Sequence, residues 1–314
     1  MMLIFSAVIK MVFIIFLGFY LYRKEILKEE ALNFLTLFVI NITVPFLIFS
    51  NIATHFNPLK MPSPFLFLGI STALFLIGLL VGIISSLTAG SSIKREFILL
   101  VSFQNCGYLP MTLSMFLFDI PRQRIFLNYI FLYILGFNIL MWSVASYLIL
   151  KKKEERFRVN SLFTPPILSI VVSLVLVYSG LKKFIPQFII PPIEMIGKTS
   201  FVLSMIVLGG WLAKSSLRMY IKDANIIKVI FIKLVVIPLI VFVLILKIRL
   251  YSLLGLFILI EASMPSAASL PIVASIHGAD SKFISYGVFV THLVSIATIP
   301  IWIELFVRVA SFNF

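Results

Sequence analysis

The apolar positions of this chain fall in long continuous runs, neither alternating nor confined to one helical face. Each run is roughly 20 residues, the length an α-helix needs to cross the hydrocarbon core of a bilayer. Ten runs stand out. The first five are Leu3 to Tyr22, Ala31 to Ala53, Phe65 to Leu87, Glu96 to Phe118 and Ile125 to Leu150. The second five are Phe163 to Gly180, Pro192 to Ala213, Ile226 to Leu246, Ser252 to Ile276 and Phe283 to Val309. Strands of a membrane barrel would alternate over about ten residues, so the pattern predicts an all-α membrane protein of ten transmembrane helices. The first run reads as a span and not a cleavable signal. No basic start precedes it, and Arg23 and Lys24 follow it.

Composition sharpens this reading. Hydrophobic residues make up 61% of the 314 and charged residues 12%, whereas a soluble domain is about half apolar and about a quarter charged. A soluble enzyme, a secreted disulfide scaffold and a disordered regulator are excluded together. The 26 Lys and Arg exceed the 12 Asp and Glu by 14. In a membrane protein that excess sets orientation, so nucleic acid is not the expected partner; the lipid bilayer is. Loops after the odd-numbered spans hold 14 of the 26 basic residues and loops after the even-numbered spans hold 7. The odd loops are therefore expected in the cytoplasm of a multi-pass cell-membrane protein, with both termini extracytoplasmic. Lys151, Lys152, Lys153, Arg156 and Arg158 form the densest cluster. It reads as a topology determinant, with an anionic-lipid site as the other reading.

The two halves of the chain resemble one another. Span 4 holds Asn105-Cys106-Gly107-Tyr108-Leu109-Pro110 and span 9 holds Pro265-Ser266-Ala267-Ala268-Ser269-Leu270-Pro271. Aligning Pro110 with Pro271 also aligns Asp119 with Asp280. Phe126-Leu127-Asn128-Tyr129 then matches Phe283-Ile284-Ser285-Tyr286 at the start of the next span, and Gly18 and Gly180 read as the ends of spans 1 and 6. Two halves of five spans must enter the membrane from opposite sides, which makes an inverted repeat: residues 1–150, a cytoplasmic connection 151–162, and residues 163–314. Glycine and proline interrupt spans 4 and 9 at matching places. Paired interruptions of this kind point to the binding site of a secondary transporter. Half-helix N-termini carry partial positive charge, so an anion, alone or coupled to a cation, is the expected guest. Pro45, Pro238 and Pro300 read as ordinary kinks.

Several segments carry a family resemblance. Phe16-Leu17-Gly18-Phe19, Lys28-Glu29-Glu30-Ala31 and Val44-Pro45-Phe46-Leu47-Ile48-Phe49 resemble the opening of the auxin efflux carrier family, which includes the plant PIN-formed exporters and many prokaryotic carriers. Asn105-Cys106-Gly107-Tyr108-Leu109, Leu208-Gly209-Gly210-Trp211-Leu212-Ala213, Lys233-Leu234-Val235-Val236-Ile237-Pro238 and Glu261-Ala262-Ser263-Met264-Pro265-Ser266-Ala267 continue the resemblance in order. It implies ten helices as an inverted 5+5 repeat with broken, crossing helices 4 and 9, an architecture shared with sodium/proton antiporters and bile acid transporters. It also implies an efflux-type carrier that works as a homodimer by an elevator-like motion. Helices 1, 2, 6 and 7 would be the scaffold, and helices 3–5 and 8–10 would move. Two positions depart from the family pattern. Pro110 and Thr112 stand where span 4 usually has Gly and Pro, and Ser269 stands where span 9 often has Asn. Both departures fall in the expected pocket, so substrate identity does not carry over. The long cytoplasmic loop of many plant members is missing.

The expected substrate site is Asn105, Gly107, Pro110, Pro265, Ser266, Ser269 and Pro271, around the two interruptions. Glu261 is the one acid well inside a predicted span. A charge there costs a few kcal/mol, so it serves either ion or proton coupling or an ion pair that locks span 9. Lys233 is its nearest cationic candidate, while Lys228 is expected to reach the surface. Lys10, in the middle of span 1, either faces an anionic substrate or pairs within the scaffold. Glu194 with Lys198, and Glu304 with Arg308, have the i, i+4 spacing of self-paired charges. His292 reads as a packing histidine, and His277 with Gly278 as the stop of span 9. One cysteine and three histidines form no metal-ligand cluster. No phosphate-binding glycine loop or nucleophile elbow is present, so neither an enzyme nor a cofactor is expected. The leading expectation is a carrier of a small organic anion, auxin-like or another carboxylate. A sodium/proton antiporter or sodium-coupled organic anion symporter is the alternative.

Overall fold

The computed structural model describes residues 2–90, 93–145, 163–214, 224–271, 274 and 281–312. Among the described residues every regular element is helical. In chain order the helices are α1 (Met2–Arg23), α2 (Glu29–His55), α3 (Pro64–Ser86), α4a (Lys94–Ser102), α4b (Tyr108–Leu117) and α5 (Ile120–Val144). They continue as α6 (Pro165–Tyr178), α7 (Gln187–Lys214), α8 (Ala224–Ile248), α9 (Leu253–Ser263) and α10 (Lys282–Ala310). Seven of these (α1, α2, α3, α5, α7, α8 and α10) are long and apolar enough to cross a bilayer. The shorter ones are the halves of the interrupted spans and α6, which two prolines open and Gly180, at φ 72°, closes.

Two expected boundaries move. Gly18 does not end α1, which continues to Arg23. A Cβ at Gly18 would overlap the backbone of Ile206, and one at Gly209 would overlap the Ile15 carbonyl. These glycines have lost their side chains to let α1 and α7 approach, as small residues do between membrane helices. Asp119 follows the end of α4b at Leu117 and has a second use. Its carboxylate accepts the Arg122 N–H at 3.0 Å and caps α5, which therefore starts at Ile120 and not at Ile125. Asp280, His277, Gly278 and the Lys151 to Arg158 cluster lie outside the described residues.

The kinks at Pro45 and Pro238 have a common form. A π-helical turn, Val39–Thr43 in α2 and Ile232–Val236 in α8, runs up to each proline. Widening the helix accommodates a residue that has no N–H to give the preceding turn. Pro238 would leave the Leu234 carbonyl without its helical donor. The indole N–H of Trp302 in α10 donates to that carbonyl at 2.9 Å.

Packing sorts the helices into two sets. α1 lies along α7, α2 packs on α6 and α7, and these four helices form one group. In the other, α3 packs on α4a and α5, α9 packs on α8 and α10, and α8 meets α10. The groups meet where α4b faces α1 and α7, where α10 faces α1, and where α5 faces α2 and α6.

Candidate functional site

The two interruptions meet each other. α4a and α4b are 9 and 10 residues long. At 1.5 Å per residue each is about 14–15 Å, half of a hydrocarbon core of about 30 Å. The interruption thus falls at mid-membrane depth. Residues 103–107 between them are not helical, and neither are 264–267 after α9. The strips run antiparallel through a bridge between Gln104 and Ser266. Asn105 N–H donates to the Pro265 carbonyl at 2.8 Å, and Ala267 N–H donates to the Phe103 carbonyl at 3.0 Å.

A helix that stops inside a membrane leaves carbonyls that water cannot reach. The protein supplies the donors. The Ser266 hydroxyl donates to the Leu100 carbonyl at 2.7 Å, and the Lys233 ammonium donates to the Val101 carbonyl at 3.0 Å. An ammonium at a helix C-terminus also meets the negative end of its dipole. Ser266 N–H is held by the Thr291 hydroxyl of α10 at 3.3 Å. The Gln104 amide donates to the Tyr133 hydroxyl of α5.

Asn105 is 5% exposed and its amide reaches His292 Nε2 at 3.0 Å. His292 Nδ1 lies 2.7 Å from the Val288 carbonyl, which can only accept. Nδ1 therefore carries the proton, Nε2 of the neutral ring accepts, and the Asn105 amide N–H donates. This spends one Asn105 donor and leaves Oδ1 without a donor from the described residues. Beside the pair lies a cavity of about 260 Å³. Met11 and Ile15 of α1 and Leu212 of α7 form one wall; Leu109 of α4b with Phe289 and His292 of α10 form the other. His292 and Ser295 are its polar side chains.

Glu261 closes the arrangement from α9. It is 0% exposed, and neither carboxylate oxygen has a hydrogen-bond partner among the described residues. Lys233, at 2% exposure, is within electrostatic reach, as are Cys106 and Tyr133, yet Lys233 and Glu261 form no ion pair. One turn earlier Phe257 packs edge-on against Phe126, Tyr129 and Tyr133 of α5.

The expected site residues divide accordingly. Asn105, Pro265 and Ser266 come together, with Glu261 and Lys233 alongside. Pro110 lies in the first turn of α4b, where its missing N–H has no helical acceptor to lose, so the interruption precedes it. Gly107 is the residue before that turn. Ser269 and Pro271 follow the bridge and are half-buried. Lys10 is not among these residues. It is exposed on α1, with its ammonium 5.9 Å from the ring centre of Phe116. Glu194 pairs with Lys198 and Glu304 with Arg308, both at 2.8 Å, as their spacing implies. Lys228 donates to Thr88 at the end of α3.

Residues 3–303 match the family described as membrane transport protein. The chain belongs to that family, the auxin efflux carrier or PIN-like carriers. It is also 26% identical, over 309 residues, to an uncharacterized transporter of Methanocaldococcus jannaschii, covering 95% of this chain and 97% of the relative. The match along the whole length agrees with a transporter and a membrane protein.

Within this transporter family the departing positions now have places. Thr112, where the usual pattern has Pro, donates to the Phe201 carbonyl of α7 at 3.2 Å and ties α4b to the other helix group. Gln104 and Tyr133 carried no sign in the sequence, whereas His292 is the hydrogen-bonded, buried histidine expected of span 10. The signal for His292 was a lone titratable side chain inside an apolar span. Its partner 187 residues away carried no local sign.

Proposed function

We propose that this transporter is a secondary carrier for a small organic anion with an apolar body, working by alternating access at the paired interruptions. The observation that carries the reading is the hydrogen-bonded meeting of residues 103–105 with 265–267 beside a cavity between the two helix groups. The first turn of α4b supplies N–H groups without helical acceptors and a positive dipole end. These suit a carboxylate, while the cavity wall suits a hydrocarbon body.

The inverted 5+5 repeat is supported by matched interfaces. α1 on α7 corresponds to α6 on α2, α3 on α5 to α8 on α10, and α3 on α4a to α8 on α9. In the elevator reading α1, α2, α6 and α7 stay fixed as the scaffold of a homodimer, while α3–α5 and α8–α10 move with the crossed interruptions. The dimer and the efflux direction rest on the family alone.

Glu261 supports ion or proton coupling, because a buried carboxyl with no hydrogen bond to any described residue has no structural partner among them to serve. The same observation keeps the sodium-coupled alternative open. Thermal stabilisation of purified protein separates them. Aliphatic or aromatic carboxylates should raise the melting temperature in proportion to occupancy. A response to sodium with none to any carboxylate would replace the anion carrier by the antiporter.

A further inference from the structure

Away from the interruptions, a second cavity of about 120 Å³ lies where the end of α2 meets the starts of α5 and α7. Its polar lining is Ser50 and Asn51 from α2, Gln123 and Arg124 from α5, and Glu194 and Lys198 from α7. Most of these groups are already committed. Asn51 donates to the Arg124 carbonyl at 3.1 Å and to Asn128 Oδ1 at 2.9 Å, which ties α2 to α5. Ser50 donates to the Leu47 carbonyl at 3.1 Å. Glu194 and Lys198 hold each other at 2.8 Å.

Arg124 is different. Its carbonyl is used, but its guanidinium makes no hydrogen bond or ion pair with any described residue. The Gln123 amide is likewise unspent. One carboxylate against one ammonium and one guanidinium leaves the lining at +1, with His55 also in electrostatic reach of all three. A guanidinium offers five donors in a planar fork that matches two oxygens of one anionic group.

From this geometry we infer an anion site: the cavity binds a carboxylate or phosphate group through Arg124 and Gln123, with Lys198 at its rim. The volume holds about four water-sized groups at about 30 Å³ each, enough for such a head group. Two sources share this chemistry. One is a free anion arriving on the α2–α5–α7 face. The other is a lipid phosphate, since the exposed Ile120 stands at the same rim. The inference does not depend on the role given to the interruptions, because neither Asn105 nor Glu261 lines this cavity.

The test uses the purified full chain in a neutral detergent. Melting temperature is followed against inorganic phosphate, succinate, and sodium chloride at matched ionic strength. Phosphate or succinate should stabilise the wild type beyond the salt control. With inorganic phosphate as the probe, Arg124→Gln should need on the order of tenfold more anion for the same shift, Arg124→Lys should fall between, and Gly69→Ala, on α3 outside both cavities, should respond as the wild type does. A second arm recovers protein from phosphatidylethanolamine–phosphatidylglycerol vesicles and reads retained lipid by native mass spectrometry. Phosphatidylglycerol held by the wild type and lost from Arg124→Gln assigns the lipid source. Equal behaviour of wild type and Arg124→Gln in both arms overturns the site. An anion response kept in Arg124→Gln but lost in Asn105→Ala also overturns it and returns the anion to the interruptions.

Discussion

Four buried side chains around the interruptions divide the work, and their hydrogen bonds tell them apart. Lys233 and Ser266 fill carbonyls that the end of α4a leaves open. Asn105 has committed one amide hydrogen to His292, and its oxygen accepts from no described residue. Asn105→Ala should therefore weaken solute binding by about 1–3 kcal/mol, the cost of leaving a buried polar partner unpaired. The fold should survive, because the backbone bond from Asn105 to Pro265 needs no side chain. Isothermal titration with whichever carboxylate stabilises the wild type checks this, and unchanged affinity would remove Asn105 from the site. Glu261 makes the opposite kind of prediction. As a structural lock it would need a partner, and neither oxygen has one among the described residues. Glu261→Gln keeps shape and loses the titrating group, so the melting temperature should hold or rise while the pH dependence of uptake into liposomes flattens. A lower melting temperature with an unaltered pH profile would return Glu261 to a structural role. The position of Glu261 was legible in the sequence, since an acid inside an apolar run is conspicuous. That its lysine would turn to a carbonyl instead was not, because the need for that donor arises only once α4a stops at Ser102.

At the scale of helices, the apolar runs mark the spans to within a few residues, because bilayer thickness dictates their length. The errors came from residues with two uses. Glycine before basic residues reads as a helix end, yet Gly18 and Gly209 serve the approach of α1 and α7. Asp119 closes one run and caps the next. Gly209→Val should therefore separate α1 from α7 and destabilise the protein by about 1–3 kcal/mol or more, the usual cost of overpacking. Gly69, on α3 with open space around its Cβ position, is the control, and Gly69→Ala should leave stability nearly unchanged. Thermal unfolding in one detergent compares the two; equal, small shifts would mean that the α1–α7 contact tolerates a side chain. The interruptions were legible for the same reason that Gly18 misled. Proline and glycine announce a departure from helix, but what meets at that departure is settled by the partner strip 160 residues on, as Asn105 and Pro265 show.

For the whole molecule the open question is which face is which, and ends of helices held together by side chains bear on it. Lys214 at the end of α7 pairs with Glu29 at the start of α2 at 2.7 Å, and Lys228 at the start of α8 reaches Thr88 after α3. All four lie in or beside loops after odd-numbered spans. At the other face, the end of α2 meets the starts of α5 and α7 around Asn51, Arg124 and Glu194, all next to even-numbered loops. Such sorting is what a chain that changes sides at each of ten spans would give, the interrupted ones included. On that topology, the basic excess of the odd loops predicts that theirs is the cytoplasmic face. Lys28 and Lys60 are exposed, on an odd and an even loop respectively, and Cys106 is buried, so the natural background for thiol labelling is low. With an impermeant maleimide on intact cells, Lys60→Cys should label and Lys28→Cys should label only after the membrane is opened. Labelling of Lys28→Cys from outside, with Lys60→Cys protected, would invert the protein in the membrane. It would also put the Arg124 cavity on the cytoplasmic side, where a different pool of anions would fill it.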